Sequence, residues 1–204
     1  MTYGEMKELV LQLLNRYSVA GETVPLTYND QADAVARIPA LTRDALYYLA
    51  TTVRRLRTVA ELAEPEMLGS QLVYDLPEDC YQLAGGVLRI LPDGTVRRER
   101  NCRVLGGRQL LVPGAWTGRL LVEYFRYPAV PVGIPEEDDF LDCPPEAQAA
   151  VAYYVAAHLS MEDNPYLYSA LYNEFERKAA LLQEGQTLEC GGTEDVYGDL
   201  CVGF

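Results

Sequence analysis

The stretch Pro144-Pro145-Glu146-Ala147-Gln148-Ala149-Ala150-Val151-Ala152-Tyr153-Tyr154-Val155-Ala156-Ala157-His158-Leu159 decides how the chain is read. Asp142 followed by two prolines and a glutamate is a helix start, because proline presets φ where no backbone donor is needed. On that helix Ala147, Ala150, Val151, Tyr154, Val155 and His158 share one face. Ala149, Tyr153 and Ala156 cover much of the other. A helix apolar nearly all round has no face to offer water, so it needs other helices around it.

Those neighbours are sought on both sides of the stretch. Asn164-Pro165 reads as N-cap and first position of a closing helix. Its apolar stripe is Leu167, Tyr168, Leu171, Tyr172, Phe175, Ala179 and Leu182, and Gly185 is a natural terminator. At the other end Thr2-Tyr3-Gly4-Glu5 fits a capping box. Tyr3, Met6, Leu9, Val10, Leu13, Leu14 and Tyr17 then recur at helical spacing. A second helical region is expected from about Thr27 to Ala60, divided by Pro39, since proline removes a donor and clashes one turn back. Arg54, Arg55 and Arg57 fall at the expected C-terminus, where cations complement the helix dipole.

Between these helices the pattern changes. Leu72, Tyr74 and Leu76 alternate, Val87 to Leu91 is a second strand, and Pro92-Asp93-Gly94 is a turn. Thr95 to Leu105 is read as the returning strand and Gly106-Gly107 as the next turn. Leu110 to Val112 and Leu120 to Tyr127 complete an antiparallel meander. The fold class is α+β. Residues 1–66 and 143–185 are expected to form a helical bundle. Residues 67–142 form an inserted small antiparallel sheet with an acidic loop, and residues 186–204 a C-terminal tail.

The 204 residues carry a net charge of −13. Such a chain is repelled by nucleic acid and by anionic membranes, which argues against sequence-specific DNA binding. It still suits a surface past which DNA slides, because repulsion prevents sticking. No run of about 18 apolar residues suggests a membrane span, and the first residues lack the basic and apolar regions of a secretory signal. The five cysteines are widely spaced, without a CxxC pair, and are read as free thiols in a reducing compartment.

Chemistry-bearing patterns are missing. His158 is the single histidine and lies on an apolar helix face, which suits packing better than catalysis. No GxSxG elbow, zinc spacing or phosphate-binding loop occurs. Gly85-Gly86 and Gly106-Gly107 read as turns or bulges. No catalytic, cofactor-binding or metal residue is assigned, and no cofactor is expected. The candidates for partner interfaces are three. The basic cluster Arg97, Arg98, Arg100 and Arg103 is expected on an exposed hairpin, facing a neighbouring subunit or passing DNA. The acidic run Glu136, Glu137, Asp138 and Asp139 is one partner for it; taken alone, that run reads as a solvated loop rather than a divalent-cation site. In the tail, Val196, Tyr197, Leu200, Val202 and Phe204 give a glycine-rich acidic segment something to bury on a partner.

Three stretches together resemble the bacteriophage head–tail adaptor family, including the tail tubular protein A type of short-tailed phages. They are Tyr74-Asp75-Leu76-Pro77-Glu78-Asp79 with Leu120 to Pro128, the segment Cys143 to Leu159, and Asp163-Asn164-Pro165 leading into Tyr172 to Lys178. The resemblance implies a virion structural protein of a phage or prophage, not an enzyme. It implies a homo-oligomeric ring below the portal protein, a downstream tail protein as a second partner, and a share in the channel through which DNA passes. It also implies assembly in the host cytoplasm before incorporation into the virion. Two other readings stay open: an enzyme of unrecognised type with its site in the sheet insertion, and a non-phage bacterial scaffold protein.

Overall fold

The computed structural model describes residues 1–14, 30–116, 118–131 and 133–190. The protein is mixed α+β and divides into two compact units. One unites the segments ending at Arg54 and beginning at Ala129, and the other is Arg55–Pro128.

The first unit is helical. Helix α1 spans Tyr3–Leu13, and the capping box is present: Thr2 Oγ1 accepts from Glu5 N–H while the Glu5 carboxylate accepts from Thr2 N–H. Helix α2 spans Asp30–Tyr48 with Pro39 inside it. The expected break at Pro39 does not occur. Burial of Ala34, Ile38, Ala45 and Leu46 along α2 outweighs the local cost of a proline, about 3 kcal/mol. Leu49–Val53 then widens into a π turn, closed by Arg54 N–H donating to Leu49 O at 2.8 Å. A short 3-10 turn, Pro145–Ala147, leads into α3, Gln148–Ser160. Helix α4 runs Pro165–Cys190, with Asn164 Oδ1 accepting from Leu167 N–H at 3.1 Å as the N-cap. It continues through Gly185, where termination was expected, because glycine costs an exposed helix only about 1 kcal/mol.

Helix α3 packs against α1, α2 and α4. Nine of its residues are buried, and one apolar cluster joins eight of them to Met6 and Val10 of α1, Ile38 of α2 and Phe175 of α4. Burying Phe175 alone is worth about 2–3 kcal/mol.

The second unit holds two four-stranded antiparallel sheets, not the single meander expected. Strands β1 (Leu56–Glu61), β8 (Arg119–Arg126), β4 (Cys80–Ile90) and β5 (Val96–Glu99) form the first sheet in that order. The second is β2 (Glu66–Leu68), β3 (Gln71–Asp75), β7 (Gln109–Pro113) and β6 (Arg103–Leu105). One apolar core draws on both, with Val87, Val122 and Tyr124 from the first sheet and Tyr74, Leu110 and Val112 from the second.

The boundary expected at residue 67 falls late. Leu56, Thr58 and Ala60 are half-buried while Arg57, Val59 and Glu61 are exposed, so this segment follows the strand period of two and pairs with β8. Arg55 and Arg57 therefore stand in the sheet unit, not at a helix end. The loop from Ala129 to Asp142, expected with the sheet, groups with the helices.

The register also explains two glycine pairs. β4 is irregular between Leu83 and Val87, and a Cβ on Gly86 would sit 2.7 Å from Glu99 O, so only glycine lets β5 approach there. Gly106 and Gly107 both have positive φ and turn β6 into β7.

Candidate interaction surfaces

The acidic run has a structural task within its own unit. Tyr3 N–H donates to Asp139 O at 2.7 Å, and Gly4 N–H to Glu137 O at 2.9 Å. The run thus satisfies two of the open donors at the start of α1. Its carboxylates stand where the helix dipole favours negative charge. Lys7 Nζ reaches Glu137 Oε1 at 2.6 Å and holds that carboxyl below its usual range. Glu136 N–H donates to Asp139 Oδ2 at 2.9 Å, closing the loop on itself. Of the four, Glu137 and Asp139 are committed to these contacts; Glu136, Glu137 and Asp138 are exposed and Asp139 is half-buried.

The arginines do not share one hairpin. Arg97 and Arg98 lie on β5, the outer strand of the first sheet. Arg103 lies on β6, the outer strand of the second, and Arg100 stands in the link between them. All four are exposed. Pro92-Asp93-Gly94 does form the expected turn, with Thr95 N–H donating to Asp93 Oδ1 at 2.9 Å. Thr95 to Leu105 divides after Glu99, its second half pairing with β7.

Across the first sheet the charges are partly matched. Glu123 Oε2 lies 2.8 Å from Arg57 and 3.6 Å from Arg98. Glu99 Oε1 is 2.6 Å from Arg89, whose guanidinium stacks on Trp116 with its centre 5.3 Å from the ring centroid. Arg89 Nε is buried with no hydrogen-bond partner among the described residues. The opposite edge escapes a reading of the sequence. There Glu61, Glu64 and Glu66 follow one another with no basic residue between them. Their spacing is the available signal, hidden because the helical pattern before Ala60 runs on into it.

His158 sits in an aromatic cluster of the helical unit. Its Nδ1 is 2.9 Å from Tyr154 O, and its ring packs on Tyr154, Tyr168 and Tyr172. The Tyr154 hydroxyl donates to the Asp44 carboxylate. Burial, then that carboxylate, raises the Tyr154 pKa. These contacts are those of packing. A groove in the same unit, lined by Tyr3, Pro39, Leu46, Val130 and Phe140 among others, is chiefly apolar. Among the described residues no group of three or more His, Cys, Asp or Glu could hold a metal ion. No described helix is long and apolar enough to cross a membrane. Cys80, Cys102 and Cys143 are free thiols, and burial pushes the Cys143 pKa up to about 12. The tail candidates Val196, Tyr197, Leu200, Val202 and Phe204 lie outside the described residues.

A model of the SU10 adaptor protein family matches residues 1–193, a span that takes in both units. The chain belongs to the SU10 adaptor protein family. This is a phage adaptor family, consistent with a head–tail adaptor. No curated protein matches the adaptor chain. The match contains all three stretches on which the resemblance was read, and a structural adaptor family points away from enzymatic activity. In this adaptor the exposed charge of the sheet edges, and not a cleft with converging polar groups, is the feature that packing inside the chain leaves unexplained.

Proposed function

We propose that the chain is a head–tail adaptor, of the tail tubular protein A type, that assembles as a ring below the portal protein. In this reading it lines part of the DNA passage and offers its far side to the next tail protein. The family match over residues 1–193 is the observation that carries the proposal. The charge of −13 supports it, because an acidic lining repels the phosphate backbone and lets DNA slide past. The tail after Cys190 serves as a docking segment in the same reading, its apolar residues buried on a partner.

Mass measurement of the full chain, alone and mixed with the portal protein, tests the proposal. A ring-sized species, or a stoichiometric complex with the portal, is expected. A single-copy mass under both conditions would remove the reading.

A further inference from the structure

We infer that successive copies of this chain dock head to tail through opposite edges of the sheet unit, the basic β5–β6 side of one copy meeting the acidic β1–β2 side of the next. The inference rests on the ring reading and names the surface that joins one subunit to the next.

Topology creates the two sides. β1 and β5 are the outer strands of the first sheet, and β2 and β6 those of the second. Residues 62–65 join β1 to β2, and residues 100–102 join β5 to β6. At no more than about 3.5 Å per residue, links this short keep each pair of edges together. Leu62 and Cys102, one in each link, pack into the core between the sheets. One side of the sandwich is therefore built from β1 and β2, and the other from β5 and β6.

Charge separates along the same division. The first side carries Glu61, Glu64 and Glu66, with Arg57 paired to Glu123, and the second Arg97, Arg98, Arg100 and Arg103, all of these edge residues exposed. Glu61 has a partner in Arg119 at 3.2 Å and Arg98 one in Glu123. No ion pair among the described residues engages Glu64, Glu66, Arg100 or Arg103.

The register matches as well. One row across the first sheet runs Glu61, Leu121, Leu88, Arg98. A row across the second runs Glu66, Val73, Leu111, Arg103. Each row begins on an acid and ends on an arginine. All neighbouring strands are antiparallel, so the two outer strands of each four-stranded sheet run in opposite directions. A copy set alongside thus presents the polarity that an antiparallel sheet continues with. Both edges also carry exposed apolar side chains, Met67 at 74% and Leu68 at 60% against Val104 at 46% and Leu105 at 52%.

Open edges invite pairing, and charge decides the partner. Basic against basic and acidic against acidic repel, which disfavours a two-fold contact. Basic against acidic attracts, and such a heterologous contact generates a ring when its rotation closes.

The test uses the full chain, with ring formation read by sedimentation and native mass spectrometry, alone and with the portal protein. One variant combines Arg100→Glu and Arg103→Glu, and a second combines Glu64→Arg and Glu66→Arg. A third carries all four changes. Each reversal is expected to weaken self-association at least about tenfold, and the fourfold exchange to restore it to within about threefold. Since all four side chains are exposed, unchanged thermal melting serves as the control for folding. Wild-type rings with unaffected reversal variants, or no rescue by the exchange, would overturn the edge contact and leave the ring reading standing. A wild-type chain that forms no ring under either condition overturns both.

Discussion

In the helical unit α3 has neighbours on three sides, and Val151, Val155, Ala156 and Ala157 are closed to water. In the sheet unit the core is closed between two sheets, while the four outer strands carry exposed residues along their length. A helix satisfies its own backbone, so its contacts are side-chain contacts, and they can be completed within the chain. A sheet always ends in strands with unpaired backbone groups unless it closes on itself. The comparison teaches where each unit has capacity left. Glu137 and Asp139 of the acidic run are engaged at the start of α1, whereas Glu64, Glu66, Arg100 and Arg103 on the sheet edges form no ion pair among the described residues.

The sharpest test of this contrast is a cavity in each core. Phe175→Ala should destabilise the helical unit by about 3–5 kcal/mol. Val87→Ala, in the sandwich core, removes fewer atoms and should cost about 1–3 kcal/mol. Thermal and denaturant unfolding would measure both, and a larger loss from Val87 would reverse the ranking of the two cores.

An intermediate effect is expected in alkali. Burial, then the charge of Glu137, raises the Tyr3 pKa to about 12 from its ordinary value of 10. Because the folded state holds the phenol proton more tightly, this contribution is intact below pH 10 and is lost as pH rises toward 12. The loss amounts to about 2 kcal/mol. Tyr3→Phe removes a group that must otherwise ionise, so the alkaline midpoint of helix loss should move upward. An unchanged midpoint would mean that other groups, such as the Cys143 thiol, set the limit.

The smallest effect concerns the start of α1. Thr2→Ala breaks the capping box and should cost about 1 kcal/mol, read as a small fall in melting temperature with the sheet unit unaffected. A loss as large as that of Phe175→Ala would mean that the acidic loop detaches along with the cap.

Much of the helical unit is legible because its signals are local. The capping box at Thr2 and Glu5, the N-cap Asn164 and the all-round apolar pattern of α3 each depend on residues within a few positions. The strand at Leu56 to Glu61 is not, although its residues alternate, because the preceding helical pattern extends across it without a stop signal. Pro39 inside α2 and Gly185 inside α4 override local rules. Packing supplies that for Pro39, and glycine's modest cost allows it for Gly185.

By itself the sequence determined the α+β class, the central place of α3, the turn at Pro92-Asp93-Gly94 and the absence of familiar catalytic spacings, since each follows from neighbouring residues. Tertiary structure alone decided that the strands form two sheets, that Arg97 and Arg103 stand on different edges, and that Glu61 to Glu66 lie on the side opposite them. Strand order is set by pairings far apart in the chain, such as β1 with β8 and β3 with β7. No local pattern of residues encodes which distant edge a strand will share.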